Sequence, residues 1–320
     1  MSKSILVIGA AGQIGSELTM TLRKRYGDDQ VVASDLASPS PTLRNSGPFE
    51  FIDVTQHDAL DQTIKRHDVG IIYHMAAILS AVGEVKPDLC WNVNVNGLYN
   101  VLQAGHEYGL RLFCPSSIAA FGPETPRTDT PQETVLRPKT MYGVTKVAGE
   151  LLCNYYFDRF GVDVRGVRYP GIISNVTPPG GGTTDYAVEI FYQAVREQHY
   201  ECFVRADTVL PMMYMPDCIK ATIDLMDADL PSLVHHADFN LAAMSFSVAE
   251  LAEAIRKLIP QFTITYKPDP AKQAIADSWP ETIDDSAARQ EWGWLPSYDL
   301  EDMTADMIER LTERHRAGQL

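Results

Sequence analysis

The chain has 320 residues, a length that allows two domains or one large α/β unit with a smaller companion. Apolar residues make up 45% of the chain and charged residues 22%, which excludes a disordered or fibrous protein. The formal net charge of −15 repels phosphate backbones, so no nucleic-acid partner is expected.

The cysteines are odd in number, lie far apart and form no C-x-x-C pair. This pattern favours a reducing compartment over a disulfide framework or a zinc knuckle. No apolar run approaches the ~18 residues of a membrane span, and no leader-like stretch precedes the first strand candidate. We therefore expect a cytoplasmic protein with no membrane partner. The cysteines are Cys90, Cys114, Cys153, Cys202 and Cys218.

The first half of the chain alternates strand-like and helix-like segments. Ile5–Ile8 is a continuous apolar run typical of a strand buried on both faces, and Gln13–Arg25 has apolar residues at helical spacing. This alternation predicts βαβ units in an α/β fold with a Rossmann-type doubly wound parallel sheet. Further strand candidates are Val31–Ala33, Phe49–Asp53, Gly70–Met75, Leu110–Pro115 and Val162–Tyr169, and further helix candidates are Gln56–Arg66, Leu89–Tyr108 and Thr140–Phe160.

The pattern changes after about Tyr169, where a proline- and glycine-rich loop precedes shorter elements. We predict a cofactor domain over residues 1–170 and a mainly substrate-binding α+β domain over residues 171–320, some segments of which return to the first domain. The elements predicted in the second part are Tyr186–Glu197, Asp217–Met226, Asp238–Ala242, Val248–Leu258, Thr263–Lys267 and Leu300–Arg314.

A glycine-rich turn joins the first strand to the first helix. Gly9, Gly12 and Gly15 are spaced three apart, with Gln13 and Ile14 between the last two. Glycines at such a junction allow a tight turn, close approach of backbone N–H groups to a pyrophosphate and close packing of the helix on the strand. The alternative is a tight βα turn that binds nothing.

Two acidic residues follow the next strand candidates. Asp35 comes about 20 residues after the last glycine, where a carboxylate accepts hydrogen bonds from the adenosine ribose. It would repel a 2′-phosphate, and no arginine follows directly, so NAD is favoured over NADP. Asp53, which precedes Val54, either reaches the adenine amino group or opens a turn before the next helix.

Tyr142 and Lys146 are four residues apart in a predicted helix and therefore share one face. An ammonium beside a phenol stabilises the phenolate, which can accept a hydroxyl proton while hydride leaves the same carbon. The alternative is an amphipathic helix with a solvated lysine.

Ser117 closes a strand at the sheet edge where such proteins bind ligands. Its hydroxyl could polarise the substrate oxygen, and the adjacent Ser116 is the alternative residue for this role.

Taken together, these motifs resemble the extended short-chain dehydrogenase/reductase family over almost the whole chain. The resemblance implies an NAD-dependent enzyme in which Ser117, Tyr142 and Lys146 carry the chemistry. It also implies that Ala76 and Ala77 border the cofactor, that Asn94 braces the active site, and that Tyr169 and Ile172 lie near the nicotinamide. The shared motifs are Gly9-x-x-Gly12-x-x-Gly15, Asp35, Asp53-Val54, His74-x-Ala76-Ala77, Asn94-x-Asn96-Gly97, Ser117 and Tyr142-x-x-x-Lys146.

Many members of this family act on nucleotide sugars and place an arginine before a short strand to meet the diphosphate. Leu210 stands at the corresponding position here. Residues 169–186 and 274–294 instead resemble the L-threonine 3-dehydrogenase branch of the family, which implies oxidation of L-threonine at C3 to 2-amino-3-oxobutanoate.

The same two segments contain the candidate substrate residues. A helix predicted to begin near Thr183 would present free N–H groups and hydroxyls to a small carboxylate. Its alternative is a glycine loop with Thr183 or Thr184 as an ordinary helix cap. Trp279 could cover a small substrate or simply pack in the second domain. Ser80 could contact substrate or lie in a solvated loop. The candidate substrate residues are Ser80, Ser117, Tyr142, Gly182, Thr183, Thr184 and Trp279.

No histidine and cysteine cluster has metal-ligand spacing, so we expect hydride transfer without a metal. Two other functions stay open: a nucleotide-sugar epimerase or dehydratase on the same scaffold, and a non-catalytic NAD-sensing regulator. The family resemblance also implies a homodimer formed through Leu89–Tyr108 and Thr140–Phe160.

Overall fold

The computed structural model describes residues 3–178 and 180–320. Its strands are β1 (Ser4–Ile8), β2 (Val31–Asp35), β3 (Phe49–Phe51), β4 (Val69–His74), β5 (Arg111–Phe113), β6 (Ser116–Ser117), β7 (Val164–Arg165), β8 (Val167–Tyr169), β9 (Gly171–Ile173), β10 (His199–Cys202), β11 (Val209–Tyr214), β12 (Phe239–Asn240), β13 (Met244–Ser247) and β14 (Thr263–Tyr266).

Helices connect and cover these strands. They are α1 (Gln13–Tyr26), α2 (Pro41–Asn45), α3 (His57–His67), α4 (Ser80–Val85), α5 (Pro87–Trp91), α6 (Leu98–Tyr108), α7 (Met141–Phe160), α8 (Tyr186–Glu197), α9 (Met215–Asp227), α10 (Val248–Leu258), α11 (Pro270–Asp277), α12 (Ser286–Trp292) and α13 (Leu300–Arg316). A π-helical turn, Asn92–Gly97, joins α5 to α6.

The largest sheet among the described residues has six strands in the order β3-β2-β1-β4-β5-β7. All of its neighbouring strands pair in parallel. This strand order is that of a doubly wound nucleotide-binding sheet, with its ligand crevice at the carboxyl ends of β1 and β4. The predicted α/β fold with a doubly wound parallel sheet is confirmed.

The apolar run of β1 is buried on both faces of the sheet, as its sequence predicts. Ile5 and Val7 pack on the side of α1 and α9, whereas Leu6 and Ile8 pack on the side of α3 and α6. Both faces are covered because each βαβ connection lays a helix against the sheet.

The predicted strand over 162–169 is wrong in one respect, because the chain divides it at Gly166 into β7 and β8. The first piece extends the six-stranded sheet, and the second pairs with β6 and β12. A side chain at Gly166 would lie 2.2 Å from the carbonyl oxygen of Cys114, so only glycine allows this crossing. The preceding strand likewise ends at Phe113, and Ser116–Ser117 belongs to the smaller sheet.

The second half of the chain contains its own core. Helices α8, α10 and α13 pack around β11 in one apolar cluster. The elements predicted over 186–197, 217–226, 248–258 and 300–314 are helices, and those over 238–242 and 263–267 are strands, each with small shifts of its ends. No element was predicted for β9, β10, β11, α11 or α12. Because β12 pairs with β8, part of the second half returns to the first half. The division at residue 170 stays a prediction.

All five cysteines are buried and free. None of the helices within residues 3–178 and 180–320 has the length and apolar character that crossing a membrane requires.

The fold predicts a large stability cost for a cavity beneath the central sheet. Leu112 in β5 is fully buried, and Leu112→Ala should lower the free energy of unfolding by about 2–5 kcal/mol. Leu295→Ala is the matched control, because that side chain is 60% exposed and its loss should cost less than about 0.5 kcal/mol. Urea denaturation followed by circular dichroism measures both. Equal losses would contradict the assigned core.

Candidate active site

An open cleft lies at the carboxyl ends of the central strands, with about 1090 Å³ of empty space that includes open solvent. Residues from both halves of the chain line it, and they include most of the residues predicted from sequence. The predicted residues that line the cleft are Gly9, Gly12, Gln13, Ile14, Gly15, Ala77, Ser80, Ser117, Tyr142, Lys146, Tyr169, Ile172, Gly182, Thr183, Thr184 and Trp279. The cleft brings together the glycine-rich turn, the tyrosine–lysine pair and the proposed substrate loop.

The glycine-rich turn has the conformation its sequence predicts. Gly9 has a φ of +85°, and a side chain there would lie 2.5 Å from the backbone nitrogen of Ala76. A side chain at Gly15 would lie 2.1 Å from the carbonyl oxygen of Gly9. The turn therefore packs directly on the segment after β4, and α1 packs directly on the turn.

The start of α1 is suited to a polar, anionic ligand such as a dinucleotide. Gly12 caps the helix without a side-chain hydrogen bond, and no acidic residue lies in the first turn. The side-chain nitrogen Nε2 of Gln13 is buried and has no hydrogen-bond partner. The backbone N–H groups of the first helical turn have no side-chain cap, and the Gln13 side chain is a buried donor without a partner. Both features fit the phosphates of NAD.

Asp35 lies beside this turn but does not line the cleft itself. Its Oδ2 accepts a hydrogen bond of 2.9 Å from the backbone N–H of Ala11, and its Oδ1 accepts one of 2.9 Å from that of Ala37. These bonds fix the carboxylate at the end of β2. Asp53 and Val54 also lie outside the cleft, and Asp53 Oδ1 accepts hydrogen bonds from the backbone and hydroxyl of Thr55. The turn-opening alternative is therefore present at Asp53, and its adenine contact stays a prediction.

Tyr142 and Lys146 lie in the first two turns of α7. Thr140 caps this helix by accepting a hydrogen bond of 3.1 Å from the backbone N–H of Gly143. The ammonium of Lys146 lies 5.5 Å from the centre of the Tyr142 ring and donates a hydrogen bond of 2.8 Å to the carbonyl oxygen of Pro115. The spacing of four residues therefore does place both side chains at one site.

The structure distinguishes the two adjacent serines. Ser117 lines the cleft, and its Oγ accepts a hydrogen bond of 3.2 Å from the backbone N–H of Ala119. Ser116 also borders the cleft, but it is buried and its hydroxyl donates to Glu150. Ser117 keeps its hydroxyl proton available for a substrate oxygen, which supports the choice made from sequence.

Asn94 lies in the π-helical turn and connects three elements of the site. Its Oδ1 accepts a hydrogen bond of 2.8 Å from the backbone N–H of Ile78, and its Nδ2 donates to Ile78 and to Thr145, each at 3.0 Å. It braces α7 against the segment after β4. With Ala76 it lines a smaller cavity behind Lys146 rather than the main cleft. Any direct cofactor contact by Ala76 or Asn94 stays a prediction.

His74 ends β4 and lines the same small cavity. Burial, with a smaller contribution from the nearby Lys146, lowers the pKa of His74 to about 3, so the ring is neutral at neutral pH. Its Nδ1 is buried and has no hydrogen-bond partner.

The proposed substrate loop differs from its prediction. Helix α8 begins at Tyr186 rather than near Thr183. The N–H groups of Gly181 and Gly182 are not free, because they donate hydrogen bonds of 2.7 and 2.6 Å to the carboxylate of Asp185. Sequence spacing could not show that an acid just beyond the threonines turns back onto this loop.

Asp185 lines the cleft and was missed by the sequence analysis. Burial raises the pKa of its carboxyl, and the two backbone N–H groups oppose that shift. Among the described residues that line the cleft, Asp185 is the one acid and Lys146 the one cation. Leu210 is fully buried in the second core and does not line the cleft.

The remaining predicted site residues are more deeply buried than the sequence indicated. Ser80 is buried as the first residue of α4, so the solvated-loop alternative is wrong. Trp279 is 5% exposed and forms part of the cleft wall while packing in the second core. Tyr169, predicted to lie near the nicotinamide, lines the cleft, but its hydroxyl shares a hydrogen bond with Thr222 in α9 and is not available to the site. Thr183 is buried and Thr184 half-buried.

A metal site is not found in the described part of the chain, where no group of three or more His, Cys, Asp and Glu side chains is placed to hold an ion. Metal-free chemistry stays an expectation.

Comparisons with known proteins place the chain among related sequences and structures. The family described as "Epimerase: NAD dependent epimerase/dehydratase family" matches residues 5–242. An uncharacterised epimerase/dehydratase of Staphylococcus aureus (strain USA300) is 51% identical over 315 residues, 98% of each chain.

Two solved structures have nearly the same fold. The L-threonine dehydrogenase of Clostridium difficile has a TM-score of 0.96 and 52% identity, with 98% of each chain covered. A monomeric L-threonine 3-dehydrogenase from a metagenome database has a TM-score of 0.93 and 50% identity, covering 97% of this chain and 99% of that one.

The position of Asp35 predicts how the chain distinguishes two cofactors. Asp35→Asn removes the negative charge that opposes a 2′-phosphate and should reduce the preference for NADH over NADPH about tenfold, or about 1.4 kcal/mol. Titration calorimetry with both reduced cofactors measures the ratio of dissociation constants. Asp53→Asn is the control, because an adenine contact affects both cofactors alike. An unchanged ratio in Asp35→Asn would remove the assignment.

Proposed function

The chain belongs to the NAD dependent epimerase/dehydratase family. We propose that it oxidises L-threonine at C3 to 2-amino-3-oxobutanoate. NAD is its cofactor. Solved structures of L-threonine dehydrogenases with about 50% sequence identity to this chain support the assignment of the substrate.

The charge of the cleft is the observation that carries the choice of substrate. One cation and one acid line it among the described residues, and the cation already belongs to the tyrosine–lysine pair. A nucleotide sugar presents a diphosphate that needs further positive charge. A small zwitterion needs an acceptor for its ammonium and hydroxyl donors for its carboxylate, and the cleft provides both.

Asp185 is the acceptor that we assign to the substrate ammonium. It lies in the cleft and is held in place by two backbone N–H groups. A bound ammonium would oppose the burial that raises the pKa of this carboxyl. Because the loop N–H groups are occupied, the hydroxyls of Ser80, Thr183 and Thr184 are the donors left for the substrate carboxylate.

The reaction requires removal of one proton and one hydride from the same carbinol group. Tyr142 takes the proton of the C3 hydroxyl as general base. Lys146 stabilises the phenolate form of Tyr142 that accepts this proton and would hold the cofactor ribose, and Ser117 donates a hydrogen bond to the substrate oxygen. When bound, NAD supplies the acceptor for the C3 hydride.

Two alternatives predict different ligands. A nucleotide-sugar epimerase or dehydratase would turn over a UDP- or dTDP-sugar, which the charge of the cleft disfavours. A regulator that only senses NAD would not need the tyrosine–lysine pair. This site keeps the pair, with the ammonium of Lys146 5.5 Å from the centre of the Tyr142 ring.

We further propose a cytoplasmic homodimer formed through α5, α6 and α7. Large apolar side chains are exposed along these helices. An exposed apolar face of this kind is typical of a subunit interface. One structural relative is titled monomeric, so the assembly differs among similar proteins. The exposed residues are Leu89, Trp91, Tyr99, Val144, Leu151, Tyr155 and Phe160.

The substrate assignment is tested with the unmodified protein. NADH absorbance should rise with NAD and L-threonine in the presence of EDTA, and it should stay low with NADP or with L-allo-threonine. If NAD binds but threonine gives no NADH, the threonine assignment fails, and UDP- and dTDP-sugars are the next substrates to assay.

Removal of the proposed base should slow turnover without loss of the fold. Tyr142→Phe should lower kcat about 100-fold or more, because the general base is absent. Tyr266→Phe is the matched control, since that tyrosine in β14 is 38% exposed and lies outside both the cleft lining and the proposed interface. Steady-state kinetics measure both variants. Full kcat in Tyr142→Phe would exclude Tyr142 as the base.

The proposed interface is tested by solution mass. Leu151 is 66% exposed on α7, and Leu151→Glu should convert a dimer to a monomer because a charge would be buried at the interface. Light scattering coupled to size exclusion gives the mass. Leu295→Glu places the same charge on an exposed position outside these helices and should leave the mass unchanged. A monomeric unmodified protein would refute the proposal.

A further inference from the structure

A buried ion pair lies directly behind the catalytic groups, and the proposed chemistry does not use it. Glu150 on α7 and Arg168 on β8 are each 3% exposed at their side chains. Arg168 donates from Nε to Glu150 Oε1 at 3.0 Å and from an Nη to Oε2 at 2.8 Å. The other Nη donates to the carbonyl oxygen of Gln132 and to Asn240, each at 3.0 Å.

The ion pair fixes the carboxylate of Glu150 in one orientation. The bidentate guanidinium contact holds both carboxylate oxygens of Glu150. Its positive charge offsets the large free-energy cost of burying a charged carboxylate. Oε1 is left to accept one more hydrogen bond, and Ser116 donates it from Oγ.

Ser116 connects this fixed carboxylate to the reacting groups. Its neighbour Ser117 carries the hydroxyl that faces the cleft, and its other neighbour, Pro115, has the carbonyl oxygen that accepts from Lys146 at 2.8 Å. Glu150 follows Lys146 by one helical turn. Two hydrogen bonds, one turn apart on α7, therefore hold the segment Pro115–Ser117 against the helix.

We infer that Ser116 and Glu150 are positioning residues, which set the distance between Ser117 on β6 and the Tyr142–Lys146 pair on α7. This inference rests on the proposed function for its kinetic test. The serine and the pair belong to different elements, and β6 is only two residues long. Without the Ser116 bond, the hydrogen bond from Lys146 would be the remaining side-chain link between this segment and α7 among those described.

Ser116→Ala is the sharpest variant, because it removes one hydrogen bond and leaves the ion pair intact. Glu150→Gln would instead leave the buried Arg168 without its counter-charge and could prevent folding. Misplacement of a catalytic group by a fraction of an ångström slows the chemical step more than it weakens binding. We expect kcat for L-threonine to fall about tenfold, with KM for threonine and NAD changed less than about twofold.

Two controls separate positioning from a general loss of stability. Thr304→Ala removes another buried hydroxyl, which donates to a backbone carbonyl in α13, and should leave kcat unchanged. Ser116→Thr restores a hydroxyl and should recover most of the lost kcat. The kinetic isotope effect on kcat with threonine deuterated at C3 should rise in Ser116→Ala, because hydride transfer becomes more fully rate-limiting.

A second measurement does not depend on the substrate. Hydrogen exchange followed by mass spectrometry should show faster exchange for the backbone amides of residues 116–120 in Ser116→Ala than in the unmodified protein, with α13 unchanged. Unchanged exchange in this segment overturns the inference, even if kcat falls, because Ser116 would then act on substrate directly. A fall in kcat matched by Thr304→Ala also overturns it. If the unmodified protein does not oxidise threonine, the proposed function fails, and the exchange result alone decides the positioning role.

Discussion

Parallel pairing of β1 with β4, and of β4 with β5, is the constraint on which the site depends. Parallel strands direct all their carboxyl ends to one edge of the sheet, and each connection must cross back over a face. The glycine-rich turn after β1, the segment after β4 and the serines after β5 therefore meet, although the sequence separates them by many residues. Helix α7 crosses behind this edge and presents Tyr142 and Lys146 to it.

The charge of the cleft lining differs from that of the whole molecule. The chain has a net charge of −15, yet one acid and one cation line the cleft among the described residues. Each is held by hydrogen bonds: Lys146 by the carbonyl oxygen of Pro115, and Asp185 by two backbone N–H groups. Fixed charges of opposite sign in a partly closed cleft suit a small zwitterion, because they need little reorganisation when the ligand binds.

The two halves of the chain are linked at the cofactor helix. Ser174, just after β9, donates a hydrogen bond of 2.6 Å to Glu17 on α1, and the hydroxyls of Ser16 and Thr177 are 3.2 Å apart. Burial raises the pKa of Glu17, and the Ser174 hydroxyl opposes that shift. The segment leading to the substrate loop thus contacts the helix that begins at the glycine-rich turn. Cofactor and substrate residues are positioned on one connected framework.

The α/β class, the long helices and the elements around the glycine-rich turn can be predicted from the amino-acid sequence alone. These features follow from local patterns: apolar runs, helical spacing, and glycines where no side chain fits. The sequence also predicts Tyr142 and Lys146 as a pair, because residues four apart on a helix share a face, and Ser117 as a residue at the ligand-binding edge of the sheet. All three line one cleft. Strand β9 was missed, since a buried strand of three residues has no period to detect.

The packing of elements in the folded chain sets how side chains that are distant in sequence share their hydrogen bonds. It divided the strand at Gly166, engaged Ser116 with Glu150 rather than with the cleft, and turned Asp185 back onto Gly181 and Gly182. It also buried Ser80 and took the hydroxyl of Tyr169 out of the site. Local spacing specifies which residues can face one another within an element. The partner that a buried polar group finally takes depends on which other elements pack against it, and that is set by the whole fold.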